Sequence, residues 1–484
     1  MLPGGYLCKK WNLKYGDNKE MRNTATDLTE GTPWKIIMRF SIPLFFTFLL
    51  QQFYNMVDTI VVGQFLGKDA LAGVGSTGAI NFMIIGFCMG LANGFVIPVA
   101  QRYGAKDYKD MRRFVANSIW LTAFFAAIMS ITVCILCRSV LIAMKTPADI
   151  LDLAYDYIFI IFAGIPITLA YNLLTGIIRS LGDSKSPLIF LLMAAVANIG
   201  FDILLVTVLK LGVRGPAFAT LLAQAFSVVL SLWCIKTKFP ILKMEPGEWK
   251  LHGKHIGILC KMGIPMGLQY SITAIGSVVL QTGINTLGSA AVASVSAASK
   301  LSMFLACPFD AIGSAMATYT GQNVGAGKIE RIGQGLKASV LIGITYSILI
   351  FLVMLFSAKY WMLLFINASE TEIIHNAVLF ILANSGFYIA LVFVNAVRFT
   401  IQGAGFSGLA ILAGVMEMIA RAIIGVIMVP YLGFASVCFA SPLAWIMADC
   451  FLIPAYCHVI RKLKQRRAQG VPNMQILLRS VKKS

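Results

Sequence analysis

The sequence predicts an all-α membrane protein in which twelve transmembrane helices form two parallel repeats of six. Three observations carry that reading. The chain is 58% hydrophobic and only 13% charged over 484 residues, whereas soluble domains hold about 25% charged residues. Apolar stretches long enough to cross a bilayer, which takes roughly 20 helical residues, recur along its whole length. The lysines and arginines between them fall on alternate connections, as basic residues retained on one side of a membrane do.

The apolar segments lie at about 36–63, 70–97, 114–137, 153–178, 187–209, 215–235, 256–287, 289–319, 334–358, 373–400, 407–430 and 435–460. Several exceed the minimum span, so tilted or protruding helices are expected. With the N-terminus placed in the cytoplasm, the inner segments take the bases before helix 1, those at 102–113, 179–185, 236–261 and 328–337, Arg398, and those after 460. The outer loops take only Lys68, Arg138, Lys145, Lys210, Arg214 and Lys359, while Lys300 and Arg421 fall inside helices. This alternation puts both termini in the cytoplasm and the chain in the cell's inner (plasma) membrane as a multi-pass protein. It also makes the formal charge of +19 a topology signal, with no nucleic-acid partner implied.

The first thirty-odd residues are polar, carry Lys9, Lys10, Lys14 and Lys19, and have no apolar core of a signal peptide. Met21 opens the segment MRNTATDLTEGTPWK that leads into helix 1, so Met1 and Met21 are both candidate translation starts. Cys134 and Cys137 form a C-x-x-C inside an apolar helix, without a second pair or a nearby histidine. Packed free thiols explain them better than a metal or redox site.

The two halves resemble one another. Ile42-Pro43 matches Ile264-Pro265, Gln101-x-x-Gly104-Ala105 matches Gln322-x-x-Gly325-Ala326, Asn172 and Gly182 match Asn395 and Gly405, and Leu211-Gly212 matches Leu432-Gly433. Six helices per copy is an even number, so the copies run parallel, related by an axis along the membrane normal. The domains expected are a cytoplasmic tail over 1–34, a first lobe over 35–236, a basic linker over 237–255, a second lobe over 256–460 and a basic tail over 461–484.

Charge in hydrocarbon is expensive, so intramembrane ionisable residues mark candidate sites. Asp58, Asp202, Asp310, Glu417 and Asp449 fall inside helices. Asn198 and Asp202 share a face of helix 5. Counting about 1.5 Å per residue from the outer helix ends sets Asp58, Tyr157, Asp202 and Thr220 at one depth, with Asn198 a turn deeper. Two carboxylates, an amide and hydroxyls suit a hard cation such as Na⁺ on Asp58, Asn198 and Asp202. The same pair could share a proton, and a hydrogen-bond network that pins the helices is equally compatible. In the second half, Lys300, Asp310, Glu417 and Arg421 are the cavity candidates. Glu417 and Arg421, four apart, read as an internal ion pair, whereas Lys300 and Asp310 are about 15 Å apart along a straight helix. Pro166, Pro265 and Pro308 fall within helices and permit kinks. The 32 Phe and 22 Met residues offer material for an apolar cavity.

The residues that fix a family are TEGTPWKIIMRFSIP at 29–43, NMVDTIVVGQFLG at 55–67, Gln101-x-x-Gly104-Ala105, IIRSLGDSKSP at 177–187, GQNVGAGKIERI at 321–332 and QGAGFS at 402–407. Together they resemble the multidrug and toxic compound extrusion (MATE) family, from about Gly31 to residue 460. The resemblance implies two six-helix lobes facing each other in a V and opening alternately to either side. It also implies efflux of cationic, aromatic compounds coupled to Na⁺ or H⁺. A first-lobe cluster of one subgroup maps onto Asp58, Tyr157, Asn198, Asp202 and Thr220, with Asn172 a further polar neighbour, and favours the functional reading of these residues. A second-lobe pattern of another subgroup, Glu on helix 7 and Asp on helix 10, is not met: helix 7 has Gln269 and Gln281, and helix 10 has no acid.

The activity expected is therefore secondary active antiport of organic cations or amphipathic molecules. No cofactor is expected beyond the coupling ion, and no partner beyond substrate and membrane lipid; the unit expected is a monomer. A flippase for a lipid-linked saccharide of the same architecture is the alternative, and would need a basic cavity for its pyrophosphate. An enzyme is not indicated. His252, His255, His375 and His458 lie in loops or at helix ends, and neither H-E-x-x-H nor G-x-S-x-G occurs. A channel leaves the duplicated acid-bearing lobes without a purpose.

Overall fold

The computed structural model describes residues 27–144 and 146–469. The choice between Met1 and Met21, the tail lysines, Lys145 and the basic segment from 470 lie outside the described residues. Helices account for nearly all of the rest, and no strand occurs among the described residues.

The first repeat contains α1 (Pro33–Val61), α2 (Lys68–Ser76), α3 (Gly78–Gly104), α4 (Tyr108–Ala143), α5 (Ala148–Ala163), α6 (Ile165–Ser180), α7 (Lys185–Ile203) and α8 (Arg214–Lys238). The second contains α9 (Gly253–Asn285), α10 (Ser289–Gly325), α11 (Ile329–Met362), α12 (Thr371–Gly386), α13 (Tyr388–Gly403), α14 (Ser407–Ala422), α15 (Val429–Leu432), α16 (Phe434–Cys438) and α17 (Ala440–Ala468). Ten helices are long and apolar enough to span a bilayer. The two bent pairs, α5 with α6 at 47° and α12 with α13 at 50°, bring the spans to twelve.

Those bends correct the expectation of continuous helices at 153–178 and 373–400, and they occupy equivalent places in the two repeats. Pro166 sits in the first turn of α6 rather than mid-helix, where its missing N–H would be unbonded in any case. Pro43, Pro265 and Pro308 do lie inside helices. The basic stretch from 461 continues α17 as helix to Ala468, and Arg467 there pairs with Glu330 of α11 at 2.7 Å.

The repeat extends to backbone detail. Gly182 and Gly405 take φ of 88° and 93°, and Gly212 and Gly433 take 60° and 59°, a region open to glycine because it has no Cβ. Wide π-turns follow α7 at Leu204–Val208 and α14 at Ile423–Met428, and a third follows α1 at Val62–Leu66.

Each repeat has its own apolar core. One is built on Leu91, Phe95, Phe114, Phe162 and Leu169, the other on Phe309, Tyr388, Val392 and Trp445. The first spans of the repeats cross between them. Ile258, Leu259 and Met262 of α9 are buried in the first core. Ile37, Phe40 and Leu44 of α1 pack with Ala311, Ala315, Met316 and Tyr319 of α10. Helix packing in lipid relies on close approach rather than hydrophobic drive. Here Gly94 faces Gly263 so closely that a Cβ on either would meet its neighbours. The linker between the repeats lies against α4. Arg112 grips Glu248 through two hydrogen bonds of 2.7 and 2.9 Å, and the indole N–H of Trp120 donates to the Trp249 carbonyl at 3.1 Å.

Candidate functional site

The linker-face ends of the lobes are closed on one another. Gln101 donates to the Gly403 carbonyl at 2.9 Å and Gln322 donates to the Ser180 carbonyl at 2.9 Å. Gly104 lies against the Gln322 carbonyl and Gly325 against that of Gln101, each where a Cβ would overlap. Leu28, fully buried, donates its N–H to Gln322 Oε1 at 2.9 Å and ties the chain ahead of α1 into the same closure.

A cavity of about 350 Å³ lies among the helices of the first lobe and α9. Its wall carries Gln51, Tyr54, Asn55 and Asp58 of α1, which recur at helical spacing along one face. Tyr157 of α5, Thr220 of α8 and Tyr270 of α9 add to the polar lining, with Asn81, Thr168, Tyr171, Gln224 and Ser227.

At the end of this cavity the sequence-predicted cluster assembles. Thr220 Oγ1 donates to Asp58 Oδ2 at 3.2 Å. Asn198, its amide turned so that nitrogen faces the acids, donates to Asp58 Oδ1 at 2.9 Å and to Asp202 Oδ2 at 3.1 Å. Asn198 and Asp202 are fully buried, and Asp202 Oδ1 has no hydrogen-bond partner. Tyr157 is within electrostatic reach of both carboxylates. One amide therefore bridges two acids from different spans, with an unpaired carboxylate oxygen beside them. Such a set can lose its excess charge by taking a proton or by coordinating a small hard cation.

Asn172 is not drawn in. Its amide donates to the Thr168 carbonyl in its own helix at 2.8 Å. Tyr54, which sequence reasoning missed, lines the same cavity as Asp58 and Thr220. Its position four residues before Asp58 was the available signal.

Both carboxylates sit just ahead of a π-turn, Asp58 before Val62–Leu66 and Asp202 before Leu204–Val208. Such turns recur at functional sites because they interrupt the regular helix ladder. In the second repeat Glu417 and Arg421 precede Ile423–Met428 at the same spacing. Relative to the following π-turn, Arg421 stands where Asp202 does and Glu417 where Asn198 does.

The second-lobe candidates behave differently. Arg398 was expected at the inner membrane face; it is instead buried in α13 and pairs directly with Glu417. Arg421 is the more distant partner, at 3.6 Å, which revises the simple i,i+4 pair. Arg179, counted with the same inner segment as Lys185, lies within the last turn of α6. Lys300 is exposed, and Asp310 is open with no ion pair or hydrogen bond among the described residues. Asp449 is buried with Oδ1 unpartnered. Gln269 of α9 accepts a hydrogen bond from Gln402 of α13 at 2.7 Å.

The MatE family model matches residues 43–204 and 265–446, most of both repeats. A curated relative from Bacillus subtilis (strain 168), "Probable multidrug resistance protein YpnP", is 30% identical over 312 residues, covering 64% of this chain and 69% of its own. A second from the same organism, "Probable multidrug resistance protein YoeA", is 27% identical over 356 residues, 72% of this chain and 77% of its own. Among solved structures, the crystal structure of MATE in complex with MaL6 aligns at a TM-score of 0.85 and 22% identity over 93% of this chain and 100% of that one, a likeness of fold.

Proposed function

The chain belongs to the MatE family, and on that premise we propose that it is a secondary active efflux antiporter. It exports cationic or amphipathic small molecules in exchange for Na⁺ or H⁺. The observation that carries the reading is the Asn198 amide bridging the Asp58 and Asp202 carboxylates beside a cavity that Asp58, Tyr157 and Thr220 line. The two Bacillus relatives are named as probable multidrug resistance proteins, which supports a drug-like small-molecule substrate.

The closed linker face is cytoplasmic in this reading, as are both termini, and the protein works as a monomer in the plasma membrane. The repeats 35–236 and 256–460 act as the two lobes. With the acid pair empty and negative, the cavity favours a cationic substrate. A Na⁺ ion or proton arriving from the open side neutralises the pair and removes that attraction, so the substrate leaves outward. The neutralised lobes then exchange exposure. Pro43, inside α1, lets α1 bend in response. Such a cycle needs a ligand with different affinity for the two states, and the pair supplies it by changing its charge.

The lipid-linked saccharide flippase gains no support, because the cavity of the first lobe ends in carboxylates rather than in the bases a pyrophosphate requires. The deciding experiment is dye movement in inverted vesicles with a Na⁺ gradient and a pH gradient imposed separately. Accumulation driven by one of them, lost in Asp202→Asn, is expected. Accumulation that persists at full rate in that variant refutes antiport through this cluster.

A further inference from the structure

The chain enters α1 through a turn that belongs, by contact, to the second repeat. Leu28 and Thr29 are buried. Leu28 shares a core with Ile37 and Phe40 of α1 and with Met316 and Tyr319 of α10. The Asn323 amide donates to the Leu28 carbonyl at 3.2 Å. The Lys328 ammonium donates to the Thr29 carbonyl at 2.9 Å and to its hydroxyl at 3.3 Å. Asp27 braces the turn by accepting from the Thr29 N–H at 2.8 Å. Asn323 is itself held, because its amide also donates to the Tyr319 carbonyl at 2.8 Å and its oxygen accepts from Arg331 at 3.1 Å. Residues 27–31 are thus fastened across the corner between α10 and α11.

The chain ahead of α9 is fastened in the reciprocal way, to the first repeat. Arg112 holds Glu248 at 2.7 Å, and Asn117 accepts from the His252 N–H at 3.0 Å. Those bonds end on α4. The fastening ahead of α1 goes further and reaches a glutamine of the closure. Gln322 Oε1 accepts from the Leu28 N–H at 2.9 Å, while its Nε2 donates to the Ser180 carbonyl at 2.9 Å. A side-chain amide has one acceptor end and one donor end. Turned over, it would set its donor against the Leu28 N–H and its oxygen against the Ser180 carbonyl. The Leu28 N–H therefore selects the one orientation in which Gln322 closes on the first repeat. Gln322 is fully buried, so water does not replace a partner that is lost.

We propose that residues 27–31 are a clip that holds Gln322 in its closing orientation, and that Asn323 and Lys328 are the positioning residues that seat the clip. The linker face opens fully only once the clip lets the amide go. The clip also gives α1 two attachments. Its start sits with the second repeat, while Asp58, near its far end, is bonded to Thr220 of the first. A shift of α1 is therefore felt at the closure through Leu28. The two glutamines are alike in their bonds across the interface but not in their control: Gln322 answers to the clip and Gln101 does not. This device stands apart from the efflux reading, since it requires neither a particular substrate nor a particular coupling ion.

The test places spin labels on the linker-face ends of α3 and α10 in the purified full-length protein and reads the ratio of short to long distances. Lys328→Met and Asn323→Leu should each lower that ratio about fivefold, the size of one ordinary hydrogen bond. Lys328 is half-buried between α10 and α11, so its variant keeps the test open where Asn323→Leu disturbs folding. In a Gln322→Leu background the same changes should have no further effect, because the amide they position is gone. In a Gln101→Leu background, which has lost one closing bond of the same kind, they should keep their full effect; that background also shows that the readout still has range. Equal effects in the two backgrounds would mean that the segment only stabilises the second repeat, and would overturn the proposal. An unchanged ratio in Lys328→Met, measured in the otherwise parental protein, would overturn it as well.

Discussion

Gln322 of the second repeat donates its side-chain amide to the backbone carbonyl of Ser180 in the first, at 2.9 Å. Its repeat mate Gln101 makes the same bond in reverse to Gly403, also at 2.9 Å. The motif Gln-x-x-Gly-Ala is therefore more than a trace of duplication. In each copy the glutamine reaches across the interface, and the glycine three residues on lets the partner's backbone approach.

That reciprocity makes the closure sensitive to a single methyl group. Gly104→Ala or Gly325→Ala places a Cβ on the opposite glutamine's carbonyl, so the linker face cannot close fully. Gln322→Leu removes the bonds to Ser180 and to Leu28 N–H, weakening the closed state by about 1–3 kcal/mol. Distances between spin labels on the linker-face ends of α3 and α10 should lengthen in all three variants, and dye efflux should fall. Unaltered distances would show that the closure is held elsewhere.

Asp202→Asn keeps the size of the side chain and the partner of Asn198 but removes the charge. Gradient-driven dye movement should drop at least tenfold while the helical circular dichroism and elution from size exclusion stay those of the parent. Asn198→Leu should fail more severely, since it leaves two facing carboxylates without their shared donor. Robust resistance in cells carrying either variant would count against the cluster as the coupling site.

In the second lobe, Arg398, Glu417 and Arg421 form a buried chain of charges. Breaking such a set by removing one member strands the others, at a cost of about 3–5 kcal/mol. Glu417→Gln should accordingly lower the thermal unfolding temperature in detergent. Replacing all three with Met and Leu should cost less than that single change. If Glu417→Gln unfolds at the parental temperature, the chain of charges contributes little to the fold.

The linker offers a pH test outside the membrane. The hydrogen bond and charge of Arg112 hold the Glu248 carboxyl below its ordinary value. The folded protein therefore holds that proton less tightly than the unfolded chain. The contribution to docking is complete above the ordinary carboxylate value of about 4.3 and is lost as pH falls through the depressed one. Amide exchange across residues 245–252 should be slow at neutral pH and accelerate sharply in acid. In Arg112→Gln it should be fast at both, and equal protection in variant and parent would disprove the account.

The sequence by itself determined the class of molecule, its twelve spans, its duplication and much of the polar cluster proposed as the site. Hydropathy and basic loops report directly on a bilayer, since each is set by a residue's own transfer cost. Asp58, Asn198, Asp202 and Thr220 were legible because a polar group at membrane depth stands out against an apolar helix, and helix rise converts position into depth. Only the tertiary structure placed Arg179 and Arg398 inside the protein, since a base near a helix end reads the same whether it faces water or a cleft. Only the structure showed which amide bridges which acids, that Asn172 satisfies itself within its own helix, and that Gln101 and Gln322 hold the lobes together. Those facts depend on which helix faces which, and that is decided by close packing between chain segments hundreds of residues apart.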